Sequence, residues 1–218
     1  MFLVCYGTRP ELIKLFPIIE ELKKTNTPFR TLFTGQHKDL IKDFKSLSGD
    51  PDYVLDEVME HGQSLNSLVS KIINKSDSII SSKDFRVIVQ GDSSTSYAAA
   101  LSAFNNNKQI IHIEAGLRTN DLKSPFPEEG NRAMISHIAD FHFCPTKESV
   151  ANLKNEGINK NVFLVGNTIV DSFKILLDSE NTSPEVKNLI DTIGEYYLVT
   201  LHRRENRSRN FENIWSQL

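Results

Sequence analysis

Short apolar runs and helical patterns take turns along this chain from its second residue, and that alternation limits the fold more than any single motif does. Phe2-Leu-Val-Cys-Tyr6 is apolar throughout and stops at Gly7, as a strand buried on both faces would. Residues 11–24 then place Leu12, Leu15, Phe16, Ile19 and Leu22 at helical spacing, with Lys23 and Lys24 in the last turn. Pro17 is expected to kink that helix or loosen one of its turns. The same reading predicts strands at 31–33, 87–89, 110–113, 141–143 and 162–165. It predicts helices near 38–47, 65–80, 95–105, 130–138, 146–156 and 168–177. Strands joined by crossover helices run parallel, so the expected fold class is α/β, a doubly wound parallel sheet.

The alternation changes character near residue 178. Asp178-Ser-Glu-Asn-Thr-Ser-Pro184 is polar and aperiodic, and reads as a linker. Beyond it, Tyr196-Tyr-Leu-Val-Thr-Leu201 reads as a new strand and 210–218 as the start of a helix. One strand and one helix cannot bury a core of their own. The expected organisation is therefore a first domain over 1–177, a linker over 178–184, and the opening of a second α/β domain over 185–218.

Composition narrows the function classes. A formal net charge of −3 gives no general attraction to nucleic acid or acidic membrane. Arg203, Arg204, Arg207 and Arg209 lack the stacking aromatics of a nucleic-acid surface. No apolar run is long enough to span a bilayer, and the chain opens directly on a strand, so a cytoplasmic protein is expected. Cys5 and Cys144 sit in apolar, strand-like settings and are expected to be reduced core residues. No His, Cys and Asp spacing suits a metal. His61, His112, His137 and His142 are expected to be structural.

The polar residues that carry chemistry fall directly after strands. Gly7-Thr-Arg-Pro-Glu11 follows the first, Gly35-Gln-His37 the second, Gly91-Asp-Ser-Ser-Thr95 the run ending at Gln90, Glu114 the run ending at Ile113, and His202-Arg-Arg-Glu-Asn206 the run ending at Leu201. In an open parallel sheet these positions converge at the carboxyl ends of the strands, where ligands bind. Each also has a structural reading. Gly7–Glu11 suits a plain turn with Pro10 and Glu11 in the first helical turn, although Arg9 also suits a phosphate at a helix N-terminus. Gly91–Thr95 suits an N-cap, and Glu128 with Arg132 suits an exposed i,i+4 pair. Against these, His112-Ile-Glu-Ala-Gly-Leu-Arg118 and Pro125-Phe-Pro-Glu-Glu-Gly-Asn-Arg132 mix carboxylates, guanidiniums and glycine. Acid–base work on an anionic ligand needs that mixture.

Taken together, Gly7-Thr-Arg-Pro-Glu11, Gly91-Asp92, His112–Arg118, Pro125–Arg132, Gly166-Asn-Thr-Ile-Val-Asp171 and His202-Arg-Arg-Glu205 resemble the motifs of the non-hydrolysing UDP-N-acetylglucosamine 2-epimerases, in the same order. The resemblance implies a Rossmann-like first domain, the first half of a GT-B-type two-domain fold. It implies reversible interconversion of UDP-N-acetylglucosamine and UDP-N-acetylmannosamine by elimination and re-addition of UDP, with no cofactor, for surface-polysaccharide precursors. The catalytic residues it implies are Asp92, Glu114, Glu128 and His202. Substrate contacts fall on Arg9, Lys14, Asp92, Glu114, Arg132 and His202. A homodimer is expected, and so is inactivity of this length of chain by itself. Two departures stand out: Ser93 and Ser94 follow Asp92 where threonines are usual, and Asp39 replaces a glutamine in the loop of Gln36 and His37 that holds an activating UDP-sugar in many relatives. The alternatives are a 2-epimerase for another UDP-2-acetamido sugar, a GT-B glycosyltransferase and a non-catalytic sugar-nucleotide sensor.

Overall fold

The computed structural model describes residues 1–35, 49–178, 183–197 and 199. The helix expected at 38–47, the loop of Gln36, His37 and Asp39, His202 with Arg203, Arg204, Arg207 and Arg209, and the helix expected at 210–218 lie outside the described residues. The chain divides into two compact units, Met1–Asp178 and Ser179–Leu218.

The first unit is built on seven parallel strands: β1 Phe2–Tyr6, β2 Phe29–Phe33, β3 Tyr53–Val54, β4 Arg86–Gln90, β5 Gln109–Ile113, β6 Phe141–Cys144 and β7 Val162–Leu164. Their order across the sheet is β3-β2-β1-β4-β5-β6-β7. The described helices are α1 Arg9–Lys24, α2 Leu65–Ser81, α3 Ser94–Asn105, α4 Glu128–Ile138, α5 Lys147–Asn155 and α6 Thr168–Asp178. The doubly wound α/β sheet expected from the alternation is the observed fold. Only β3 escapes the pattern, because two residues are too few to show a period.

Alternation of side chains along each strand divides the core in two. Leu3 and Cys5 of β1 join Val87, Val89 and Ile110 on one face, packed against Leu68 and Ile72 of α2 and Ala99 and Ala103 of α3. Val4 and Tyr6 join Ile88 and Ile111 on the other, packed against Leu12, Leu15 and Ile19 of α1. A sheet covered on both faces needs unbroken apolar strands, which is why Phe2–Tyr6 carries no polar residue. Cys5 and Cys144 are buried free thiols, and burial pushes both up, Cys144 to about 11, so they remain protonated core residues.

Pro17 does not break α1, which runs helical from Arg9 to Lys24. Proline has no N–H to offer the carbonyl of Ile13 one turn back. The hydroxyl of Ser172, buried on α6, donates to that carbonyl instead and also reaches the Thr168 carbonyl at 3.2 Å. The carbonyl that Pro17 leaves without its helical donor is thus a docking point between two helices.

The second unit shows one described helix, α7 Pro184–Ile193, which sequence periodicity missed beside its linker-like start. Ser183 caps it by accepting from the Val186 amide at 3.3 Å, and Gly194 ends it at φ 72°. Of the run expected as a strand at 196–201, the described residues Tyr196, Tyr197 and Val199 form none. An apolar run becomes a strand only beside a pairing neighbour, and the described part of this unit offers a helix alone.

Replacing Ser172 by Ala should strand the Ile13 carbonyl and cost about 1–3 kcal/mol in denaturant unfolding. Pro17→Ala restores an N–H at that turn, so the two substitutions together should cost clearly less than their sum. Additive costs would rule out this pairing.

Candidate active site

The order of the strands reverses between β1 and β4. From β1 the chain crosses by α1 to β2 on one side, and from β4 by α3 to β5 on the other. The crevice left at such a reversal is where open α/β sheets bind ligands.

One buried side chain joins the two loops that face this crevice. Glu11 is 3% exposed. Its Oε2 accepts from the amides of Gly7 and Thr8 at 2.7 and 2.8 Å, and its Oε1 accepts from the hydroxyls of Ser93 and Ser96. The carboxylate therefore sits on the N-terminal ends of both α1 and α3, where the helix dipoles favour negative charge. Gly7 is required for this closeness, since a Cβ there would strike the Thr34 and Thr95 hydroxyls. Those hydroxyls lie 3.2 Å apart and stitch β2 to α3. The Gly7 and Thr8 amides are thus already taken by Glu11. Arg9, exposed on the first turn of α1, remains the cation of this loop.

Glu114 follows β5 in the left-handed region at φ 64°. A residue with a Cβ pays about 1–2 kcal/mol to sit there, and such strain gathers at functional positions. Its carboxylate is clamped from three elements. Lys14 Nζ of α1 lies 2.6 Å from Oε2, Gln90 at the end of β4 donates to the same oxygen, and Asn167 between β7 and α6 donates to Oε1 at 2.7 Å. With a lysine and two amides donating to it, Glu114 is held as an acceptor.

Asp92 ends the turn after β4. His112 Nε2 lies 2.8 Å from the Gly91 carbonyl, the Gly91 amide donates to the Ile113 carbonyl at 3.0 Å, and Asn131 donates to the Asp92 carbonyl at 2.9 Å. Burial holds His112 down to about 4, so the ring is neutral and Nε2–H is the donor to Gly91. The Asp92 carboxylate receives Arg132 Nη2 of α4. Burial nevertheless raises its pKa above the ordinary aspartate value; Arg132 opposes the rise, and the charges of Glu114 and Glu128 add to it. Glu128 is the first residue of α4 and half-buried. Of the three carboxylates marked in the sequence, Glu114 and Glu128 thus both act on Asp92.

The two arginines of the motif separate. Arg118, with a side chain 4% exposed, is committed to Glu156 through Nε and Nη2 at 2.6 and 2.7 Å, and to the Leu117 carbonyl at 2.7 Å. It locks a loop onto the end of α5. Arg132 does not form the exposed pair with Glu128 that their spacing allows; it holds Asp92 and lies 3.2 Å from Glu129. Gln90, Asn167, Glu11 and Glu129 were given no site role from sequence, although Glu11 was placed in the first turn of α1 and Asn167 and Glu129 lie within quoted motifs. The positions of Gln90 and Asn167 at strand ends were the available signal. No group of three His, Cys, Asp or Glu side chains suited to a metal occurs among the described residues.

A Rossmann-like sheet whose switch point brings Asp92, under the charges of Glu114 and Glu128, beside a lysine and an arginine holds the kinds of group that acid–base chemistry on an anionic ligand would need. Residues 20–218 match the family described as UDP-N-acetylglucosamine 2-epimerase, and the chain belongs to that family. It is 39% identical to the UDP-N-acetylglucosamine 2-epimerase of Salmonella borreze, over 97% of this chain and 59% of that protein, and 37% identical to that of Escherichia coli K12 with the same coverage. Its fold matches the Methanocaldococcus jannaschii UDP-GlcNAc 2-epimerase in complex with UDP-GlcNAc and UDP, with TM-score 0.86, 36% identity and coverage of 99% of this chain and 61% of that one. It also matches the Neisseria meningitidis enzyme bound to UDP-GlcNAc, with TM-score 0.79, 37% identity and coverage of 88% and 53%. The chain spans 59% of the length of the first two relatives.

The raised pKa of Asp92 sets the sign of a stability effect. The folded carboxyl keeps its proton to higher pH than the unfolded one, so ionising it costs stability. That cost is absent below the unfolded value of 3.8 and complete above the raised folded value. Thermal unfolding of Asp92→Asn should therefore show the variant gaining on the parent protein as pH rises from below that range to neutrality. A difference in melting temperature that stays constant with pH would contradict it.

Proposed function

We propose that the protein carries out the reversible C2 epimerisation of UDP-N-acetylglucosamine to UDP-N-acetylmannosamine. The proton on C2 is weakly acidic, so its removal has to be coupled to departure of UDP from C1. A base takes the C2 proton, the C–H electrons form the C1–C2 double bond of a glycal, and the C1–O bond electrons leave with the diphosphate. Re-addition returns UDP to C1 and a proton to the opposite face of C2. No electron is lost or gained overall, so the route needs no oxidised cofactor.

Asp92 and Glu128 share the proton transfers in this reading; Asp92, whose pKa burial raises, takes a proton back more readily than an ordinary aspartate. Glu114, committed to Lys14, Gln90 and Asn167, orients the sugar rather than moving protons. Arg9, Lys14 and Arg132 supply fixed positive charge for the ligand and its leaving diphosphate, and fixed charge is most effective where new charge develops. The resemblance of its motif assigns His202 a catalytic role as well. The enzyme is read as a cytoplasmic homodimer that feeds surface-polysaccharide precursors. No helix among the described residues is long and apolar enough to cross a membrane. The observation that carries the proposal is the meeting at the switch point of Asp92, held by Arg132, and Glu114, held by Lys14, with the pKa of Asp92 raised by burial and, to a lesser extent, by the charges of Glu114 and Glu128.

Given UDP-N-acetylglucosamine in deuterium oxide and no acceptor, the two-domain enzyme should place deuterium at C2, read by NMR or mass spectrometry. Asp92→Asn should cut the exchange rate by about 10²–10⁴-fold with the circular dichroism spectrum unchanged. Product formed without exchange, or release of sugar only to an added acceptor, would remove the epimerase reading.

A further inference from the structure

Glu129 lies next to a proposed catalytic carboxylate, yet its side chain belongs to a different set of contacts. It is 2% exposed, in the first turn of α4. Oε1 accepts from the amides of Thr119 and Asn120 at 2.9 and 3.1 Å, and so holds the loop between Arg118 and the start of α4. Oε2 lies 3.2 Å from Arg132 Nη1 as an ion pair without an aligned hydrogen bond. Arg132 in turn gives Nη2 to Asp92. One guanidinium is therefore divided between a buried carboxylate and the carboxylate at the crevice.

We propose that Glu129 is a positioning residue that acts through Arg132, both fixing the guanidinium against Asp92 and sharing its charge, while tying the loop at Thr119 and Asn120 to the same cation. This rests on the reading of Asp92 as the group that exchanges protons. The division has a physical consequence. A guanidinium facing Asp92 alone would favour the ionised carboxylate more strongly, since an opposite charge at hydrogen-bond range lowers a carboxyl pKa. Glu129 draws off part of that attraction and leaves Asp92 able to take a proton back. Asp92 is also faced by Glu128 from α4 and by Glu114 from the end of β5, the latter itself paired with Lys14 of α1. Those charges act on Asp92 directly, whereas Glu129 reaches it through Arg132. The arrangement also couples a surface loop to the reacting carboxylate. A ligand that moves Thr119 or Asn120 would move Glu129, and with it the cation on Asp92.

The test uses the chain itself and does not depend on turnover, so it separates this proposal from the epimerase reading. Carbon-detected NMR of the Asp92 carboxyl follows its titration in the parent chain, in Glu129→Gln and in Arg132→Gln. Glu129→Gln keeps an acceptor for the two amides but drops the charge on Arg132, and should lower the Asp92 midpoint by about half a pH unit or more. Arg132→Gln should raise that midpoint and also shift the amide resonances of Thr119 and Asn120, which Arg132 is not bonded to. An unchanged or raised Asp92 midpoint in Glu129→Gln overturns the proposal. If Glu129→Gln does not fold, still Thr119 and Asn120 amides in Arg132→Gln overturn it, and shifted ones support it. If the titrations behave as expected but the two-domain enzyme shows no exchange at C2, the reaction is wrong and the charge sharing stands.

Discussion

A single buried anion makes the rest of this site geometrically possible. Glu11 accepts from backbone amides after β1 and from serine hydroxyls after β4, and so closes the crevice from beneath at the point where the strand order reverses. A carboxylate at 3% exposure is tolerated only when its lone pairs are filled and nearby dipoles favour its charge. Two helix N-termini meet both conditions. Arg9 and Lys14 on one side, and Asp92 on the other, are placed by loops that share this carboxylate.

On that base the structure gives three carboxylates three different environments. Glu114 is saturated by donors from α1, β4 and the segment before α6, and it keeps a strained backbone to stay among them. Asp92 has one cationic partner and is pushed toward the protonated form by burial and by its neighbours. Glu128 lies at the positive end of α4. Like residues with unlike surroundings can divide the work of holding and of proton transfer, and the spread in their partners is what allows one site to do both.

Much of this was legible in the sequence, for physical reasons that differ by element. Strands buried on both faces leave unbroken apolar runs, so β1, β4 and β5 stood out, as did the loaded residues just beyond them. Helices with one apolar stripe were equally plain. What escaped depended on long-range pairing. Tyr53–Val54 is a strand only because β2 lies beside it. Pro17 looked disruptive because its compensating donor, Ser172, comes from a helix far along the chain. Arg132 was expected at the substrate and Arg118 was given no role, and only the fold shows that Arg118 is spent on Glu156 while Arg132 faces Asp92.

The residues given no role from sequence are those that hold rather than touch. Gln90, Asn167 and Glu129 carry no reactive signature, because an amide or a buried glutamate serves as well in any core. Their meaning comes from what they immobilise. Gln90 and Asn167 remove Glu114's freedom to rotate, and Glu129 removes that of Arg132. A carboxylate that must meet one face of a sugar ring gains more from such restraint than from further charge, since misplacement by an ångström costs more rate than a modest change in basicity. The polar side chains of this site therefore sort by whether they supply charge or limit motion.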